Sequence, residues 1–177
     1  MIKLNSRYLL HNYINTNRIF NVAEIGVGFG CYACYILESC PQIEHYYGIE
    51  NFGGKFMKGS MSLQRKRVEE RMDEYKRRFI WKIGDSVSMS EQFEDGTLDL
   101  IYIDGDHSFN GVYGDLRAWY PKLRPGGVLS GHDYTPLRRD GVRKGWNKFL
   151  PEVGLSVNNA YITKDVQIHP SIFIIKL

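Results

Sequence analysis

What this sequence lacks narrows it first. No run approaches the roughly 20 apolar residues that a membrane span needs. The N-terminal stretch has Lys3 but no apolar core of a signal peptide, because Leu9-Leu10 passes at once into His11-Asn12. A cytoplasmic protein with no membrane partner is expected. Cysteine is scarce, with only Cys31, Cys34 and Cys40. An odd count without a secretory signal argues against a disulfide framework. Cys31-x-x-Cys34 has no second pair to complete a tetrahedral metal site. It falls in the first turn after a glycine loop, where small residues pack closely. Repeats, linkers and low-complexity tracts are missing, so the 177 residues are read as one domain, 1–177. At 43% hydrophobic and 24% charged, the composition is that of an ordinary globular chain. The net charge is only +3, but its placement is uneven. Lys55, Lys58, Arg65, Lys66, Arg67, Arg71, Lys76, Arg77 and Arg78 form one basic segment, and Arg138, Arg139, Arg143, Lys144 and Lys148 a second. A solvated helix face and a basic loop account for them, though either could attract an anionic partner.

What is present centres on Asn21-Val-Ala-Glu-Ile-Gly-Val-Gly-Phe-Gly30. The apolar run 22–27 reads as a buried strand that opens into Gly26-x-Gly28-x-Gly30, with a helical pattern from Cys31. Glycines allow a tight turn and let backbone approach a ligand with no Cβ between. The helix start behind them offers free N–H groups and a partial positive charge. Glu24 adds a carboxylate, expected at the mouth. A nicotinamide fingerprint would be G-x-G-x-x-G, but Cys31 stands where its third glycine should be. Glu-x-Gly-x-Gly-x-Gly (Glu24 to Gly30) instead resembles the first motif of class I S-adenosylmethionine (SAM) methyltransferases.

Along the chain, residues 1–17 read as a helix that could serve as a lid. A second helix carries Tyr35, Ile36 and Leu37 and stops at Pro41. His45 to Glu50 is a strand, followed by a glycine-rich basic loop over 51–59. Ser60 to Arg78 reads as a helix with Val68, Met72, Tyr75 and Phe79 on one stripe. Phe79 to Ile83 is a third strand and Leu98 to Ile103 a central parallel one. Val112, Leu116 and Trp119 mark a helix, and Pro125-Gly-Gly127 turns the chain into a strand from Val128. Val142, Trp146, Phe149 and Leu150 mark the last helix. Two strand-like runs close the chain, Leu155 to Thr163 and Ser171 to Leu177.

Strand and helix therefore alternate, as in a doubly wound α/β sheet with helices on both faces. The right-handed crossover rule puts every strand's C-terminal end along one edge, where ligands bind. Gly26 to Gly30, Glu50, Asp85, Asp104 to His107, His132 and Asp133 all fall there. Glu50 lies about twenty residues past the glycine turn, the place from which an acidic residue accepts ribose hydroxyls. Asp85, with Ser86 beside it, is placed to take an adenine amino group.

The wider pattern is more specific. Ile101-Tyr-Ile-Asp104-Gly-Asp-His-Ser-Phe109, Asp115-Leu116, Leu123-Arg-Pro-Gly-Gly127 and His132-Asp133-Tyr134 resemble small class I methyltransferases. These include macrolide-sugar and other O-methyltransferases. The likeness covers about residues 20–150. It implies a Rossmann-like sheet of seven strands, mostly parallel with the last antiparallel, and methyl transfer from SAM. Several relatives bind Mg²⁺, and carried over by position the ligands are Asp104, His132 and Asp133. A hard cation would hold hydroxyl oxygens and lower the pKa of the one attacked. The His-Asp pair departs from two oxygen donors, since imidazole suits Mn²⁺, Fe²⁺ or Zn²⁺ better than Mg²⁺. In similar sugar O-methyltransferases a histidine at the place of His107 is the proposed general base. Adenine stacking or a loop cap is an equal reading of that residue.

A SAM-dependent methyltransferase acting on a hydroxyl of a small molecule, such as a sugar or sugar-containing metabolite, is the function expected. Two alternatives stand beside it. A nucleic-acid methyltransferase would suit the basic segments, but the chain has no Asn/Asp-Pro-Pro-Tyr stretch and no Pro-Cys nucleophile. A non-catalytic SAM-binding module serving a partner protein would need neither Asp104 nor His107. Tyr8, Tyr13 and Phe56 are candidates for a homodimer contact.

Overall fold

The computed structural model describes residues 6–53, 61–136, 140–164 and 169–177. Expectations resting on Lys55, Phe56, Lys58, Arg138 and Arg139, and most of the 51–59 loop, lie outside the described residues. The strands are β1 (Asn21–Ile25), β2 (His45–Glu50), β3 (Phe79–Ile83), β4 (Leu98–Ile103), β5 (Leu123–Gly131), β6 (Tyr161–Ile162) and β7 (Ile172–Ile175). The helices are α1 (Leu10–Thr16), α2 (Cys31–Ser39), α3 (Met61–Met72), α4 (Ser86–Ser90), α5 (Phe109–Trp119) and α6 (Asp140–Phe149).

The seven strands form one sheet in the order β3-β2-β1-β4-β5-β7-β6. β1 pairs in parallel with β2 and β4, and β4 with β5. β7 runs antiparallel to both β5 and β6, so it alone opposes the others. The chain builds outward from β1 through β2 to β3, then returns to β4 on the other side of β1. The winding thus reverses between β1 and β4, and a crevice opens beyond their C-terminal ends.

Strand side chains alternate between the faces. Val22, Tyr46, Leu100, Tyr102, Val128 and Phe173 pack in one cluster with Leu10, Ile14, Ile36, Leu37 and Met72. Ala23, Ile25, Ile101, Ile103, Leu129 and Ile172 pack in the other with Leu116, Trp119, Trp146 and Phe149. β4 is buried along its whole length, which is why it reads as a continuous apolar run.

Three expectations need correction. Of the helix expected over 1–17, the described part is a short 3-10 turn, Arg7–Leu9, leading into α1, and residues 1–5 lie outside the described residues. It is docked rather than lid-like, because Leu10 and Ile14 are fully buried. The run 155–163 is mostly not a strand, and only Tyr161–Ile162 pair. Asn159 Oδ1 accepts from the Ser156 amide and hydroxyl, and these local bonds hold a 3-10 turn instead. α4 carries too few residues to leave a periodic signal. Among the described residues of the basic segments, surface pairs include Arg65–Glu69, Lys66–Glu70 and Lys144–Asp140. No helix among the described residues is long and apolar enough to cross a membrane.

Candidate active site

β1 ends where the Gly26 amide donates to the Ile49 carbonyl (2.9 Å). Gly26 has φ +87°, and a Cβ there would collide with the Asp104 carbonyl. Only glycine lets the turn lie against the end of β4. Gly28 has φ +55°, and a Cβ there would meet nothing within 4 Å. Its backbone therefore faces open space that a ligand can enter. Gly30, φ +72°, closes the turn as the N-cap of α2. Glu50 ties this loop to the next strand. Its Oε2 accepts from the Gly28 amide (3.0 Å) and its Oε1 from the Phe52 amide (2.8 Å). Each carboxylate oxygen keeps a lone pair for a further donor.

Beyond the crevice, the ends of β4 and β5 bring four polar side chains together. Asp104 Oδ1 lies 3.2 Å from His107 Nε2 and 3.5 Å from His132 Nδ1. His107 Nδ1 lies 3.1 Å from Asp133 Oδ2, so the imidazole bridges two carboxylates. His132 Nδ1 is also 3.3 Å from Asp133 Oδ1. Burial pushes the Asp104 carboxyl up, but hydrogen bonds and charge from His107 and His132 outweigh it and hold it at about 2. Asp133 is buried, with φ +58°. Among non-glycine residues aspartate tolerates this left-handed region well. It is held by the Thr135 amide donating to its carbonyl (2.8 Å). Two residues join this group from far along the chain. Arg7 Nη1 is 3.3 Å from Asp104 Oδ2, and His169 Nδ1 is 2.5 Å from Asp133 Oδ1.

A glycine turn with open backbone at one flank of the crevice, and a carboxylate–imidazole network at the other, suit cofactor binding beside proton transfer. The family described as Methyltransferase domain matches residues 23–134, more than half of the chain. The chain belongs to that family. One curated relative, the uncharacterized protein y4gI of Sinorhizobium fredii, is 39% identical over 51 residues, which make up 29% of this chain and 6% of that protein. The chain thus spans a small fraction of that relative. Among solved structures, the O-methyltransferase TomG from Streptomyces achromogenes, involved in tomaymycin synthesis and in complex with SAM, matches with a TM-score of 0.68 at 14% identity, over 96% of this chain and 79% of that one. CalS11, a TDP-rhamnose 3'-O-methyltransferase of calicheamicin biosynthesis, matches at 0.63 and 16% identity, over 95% and 78%. A spermidine synthase from Thermotoga maritima matches at 0.66 and 16%, over 97% and 61%. At these identities the likeness is one of fold.

The fold does not use every residue as the sequence suggests. Glu24 is not at the mouth. It is 1% exposed, beneath the turn, with the Tyr46 hydroxyl donating to its Oε2 (2.8 Å). Two residues before the glycines, it is still inside a strand paired on both sides. Burial raises its pKa to about 8, against the lowering effect of Tyr46. Asp85 is exposed at the expected edge, where its Oδ1 accepts from the Ser88 amide (3.0 Å) as the cap of α4. Ser86 accepts from the indole N–H of Trp119 (2.9 Å), which points its hydroxyl toward α5. Asp106 accepts from the Ser108 amide and hydroxyl.

The metal expectation is not met by the side-chain arrangement. Asp104, His132 and Asp133 bond to one another and to His107 in pairs. Among the described residues no three His, Cys, Asp or Glu side chains converge in a way that could hold an ion. No step is therefore routed through a metal. Arg7 and His169 are the site residues that sequence reasoning missed. Neither sits in a motif, and both reach the crevice only through tertiary packing.

Proposed function

We propose that this methyltransferase methylates a hydroxyl oxygen of a small molecule, with His107 as the general base. SAM, when bound, supplies a methyl carbon on a sulfonium that leaves as a neutral thioether. Gly26, Gly28, Gly30 and Glu50 would hold it. The chain's own residues must then align the acceptor and take its proton. What carries this reading is His107, clasped between Asp133 on Nδ1 (3.1 Å) and Asp104 on Nε2 (3.2 Å). Asp133, buried beneath the imidazole, would accept the Nδ1 hydrogen and fix tautomer and ring orientation. In the neutral imidazole that acts as the base, Nε2 would then carry no hydrogen to give Asp104 and would turn its lone pair to the acceptor. An acceptor hydroxyl entering beside Asp104 would give its proton to Nε2 as the new C–O bond forms. Asp104, ionised down to a pH of about 2, would stabilise the imidazolium that results.

A sugar or sugar-containing acceptor is supported by one structural likeness, to the TDP-rhamnose 3'-O-methyltransferase. The test is release of S-adenosylhomocysteine from SAM across a panel of hydroxylated small molecules that includes nucleotide-linked sugars. Acceptor-dependent release is the expected result. SAM binding with no turnover on any acceptor would favour a non-catalytic module, and turnover on nucleic acid alone would overturn the small-molecule acceptor.

A further inference from the structure

Arg7 is fixed in place by its surroundings. Ser6 caps its 3-10 turn, and the Tyr32 hydroxyl donates to its carbonyl (3.3 Å). Leu10 and Ile14 anchor the helix that follows. From there the side chain crosses to the end of β4. Its guanidinium lies 5.3 Å from the Tyr8 ring centre and 5.2 Å from that of Tyr32. Nη1 reaches Tyr102 Oη at 3.4 Å and Asp104 Oδ2 at 3.3 Å.

These contacts do not use the guanidinium well. Charge-assisted N–H···O bonds are normally about 2.7–2.9 Å, and both of these are longer and come from a single nitrogen. Asp104 has little need of a third donor, since His107 and His132 already serve it. A guanidinium carries five N–H groups in a planar fork that matches a carboxylate. Arg7 is thus a half-buried cation, preset by packing, with donors to spare at the rim of the crevice.

We infer that Arg7 takes the carboxylate of the cofactor's methionine part, and so makes the protein prefer SAM over decarboxylated SAM. The inference rests on the methyltransferase reading of the crevice. SAM carries a ribose at one end and an amino-acid zwitterion at the other. Glu50 ends β2 and Asp104 ends β4, with β1 between them. Neighbouring strands are about 4.8 Å apart, so the two carboxylates flank the glycine turn on strands about 10 Å apart. A cofactor whose ribose meets Glu50 brings its zwitterion to the β4 side. Asp104 and Arg7 stand there as an acid and a base, matching its ammonium and its carboxylate. Arg7 would exchange a loose contact with Asp104 for a bidentate one.

Calorimetry without acceptor tests this, using SAM and decarboxylated SAM as the two probes. Wild type should bind SAM about 10–100-fold tighter, the scale of a hydrogen-bonded charge. Arg7→Met should lose that factor for SAM, keep its affinity for decarboxylated SAM within about twofold, and so erase the preference. Arg7→Lys should keep part of it. Equal affinity of wild type for both probes overturns the assignment whatever the variants do. Equal weakening of both probes in Arg7→Met, with an unchanged thermal midpoint, also overturns it and makes Arg7 a support for Asp104. Binding of neither probe by wild type would overturn the cofactor reading, and this assignment with it.

Discussion

Successive side chains of β1 enter two different environments. Ala23 and Ile25 join a cluster of aliphatic and tryptophan side chains with α5 and α6, where Leu116, Trp119 and Trp146 are fully buried. Val22 joins the other cluster, and the next residue on that face, Glu24, is a buried acid among Tyr32, Tyr46 and Tyr102. Tyr102 leads on to Arg7 and Asp104 at the crevice. One face is mainly apolar, with Asp115 of α5 as a buried acid near its edge, and the other carries polar groups from the core to the site. A buried polar group costs stability unless it is bonded. The contrast teaches that the face of α5 and α6 supplies rigidity, while the face of α1 and α2 carries charge up to the chemistry.

The largest effect expected belongs to the site. His107→Ala should lower turnover by about 10²–10⁴-fold, the usual share of a general base. SAM affinity should hardly change, and the rate of wild type should depend on one ionisation that the variant loses. If cofactor binding is lost and turnover per bound cofactor is normal, His107 is an adenine contact instead. Next comes the apolar face. Trp119→Ala should destabilise by about 3–5 kcal/mol in denaturant unfolding, and it also removes the indole partner of Ser86. Should His107→Ala cost as much stability as Trp119→Ala, the division of labour between the faces would be broken.

Glu24 sharpens the contrast through pH. Its folded pKa, about 8, lies above the ordinary glutamate value of 4.5. Folded Glu24 therefore holds a proton that the unfolded chain releases, so its contribution is full below about 4.5 and is lost as pH rises through 8. Asp104 has the opposite sign. Its folded pKa of about 2 lies below 3.8, so its contribution is present above that value and is lost as pH falls toward 2. Glu24→Gln should match wild type in stability near pH 5 and exceed it at pH 9, by a few kcal/mol at most on the scale of about 1.4 kcal/mol per unit. Equal stability of the two at both pH values would mean that Glu24 is not buried as an acid.

Smaller effects follow. Gly28→Ala places a side chain at positive φ, worth about 1–2 kcal/mol of stability, and it fills space the cofactor needs. SAM affinity should fall by more than stability does, which calorimetry and melting together will show. The smallest effect expected is that of EDTA. Turnover should persist in it, because among the described residues no three His, Cys, Asp or Glu side chains converge to hold an ion. Loss of activity restored by Mn²⁺ would reinstate the metal.

Much of this was legible in the chain. The strands from Asn21, His45, Phe79 and Leu98 lie where their apolar runs placed them, because buried parallel strands leave a plain signal. The glycine turn followed from local geometry, and the gathering of strand ends at one edge from the handedness of crossovers. Less legible were the depth of Glu24, the end of the chain and the partners of Asp104. Depth depends on which strands flank a residue, and strand order is not written in any local window. The 155–163 run failed because Ser156 and Asn159 bond locally more effectively than an edge strand pairs.

By itself, then, the sequence determined the elements, the turn at Gly26, Gly28 and Gly30, and the clustering of Glu50, Asp104, His107, His132 and Asp133 at one edge. Those follow from periodicity and from the handedness of crossovers, which are local or general rules. Only the tertiary structure decided that Glu24 is a core acid, that His107 is clasped by two carboxylates, and that Arg7 and His169 belong to the site. Such facts depend on side chains from distant segments meeting within a few ångströms. Packing of the whole sheet and its helices sets those distances, and no stretch of the chain encodes them alone.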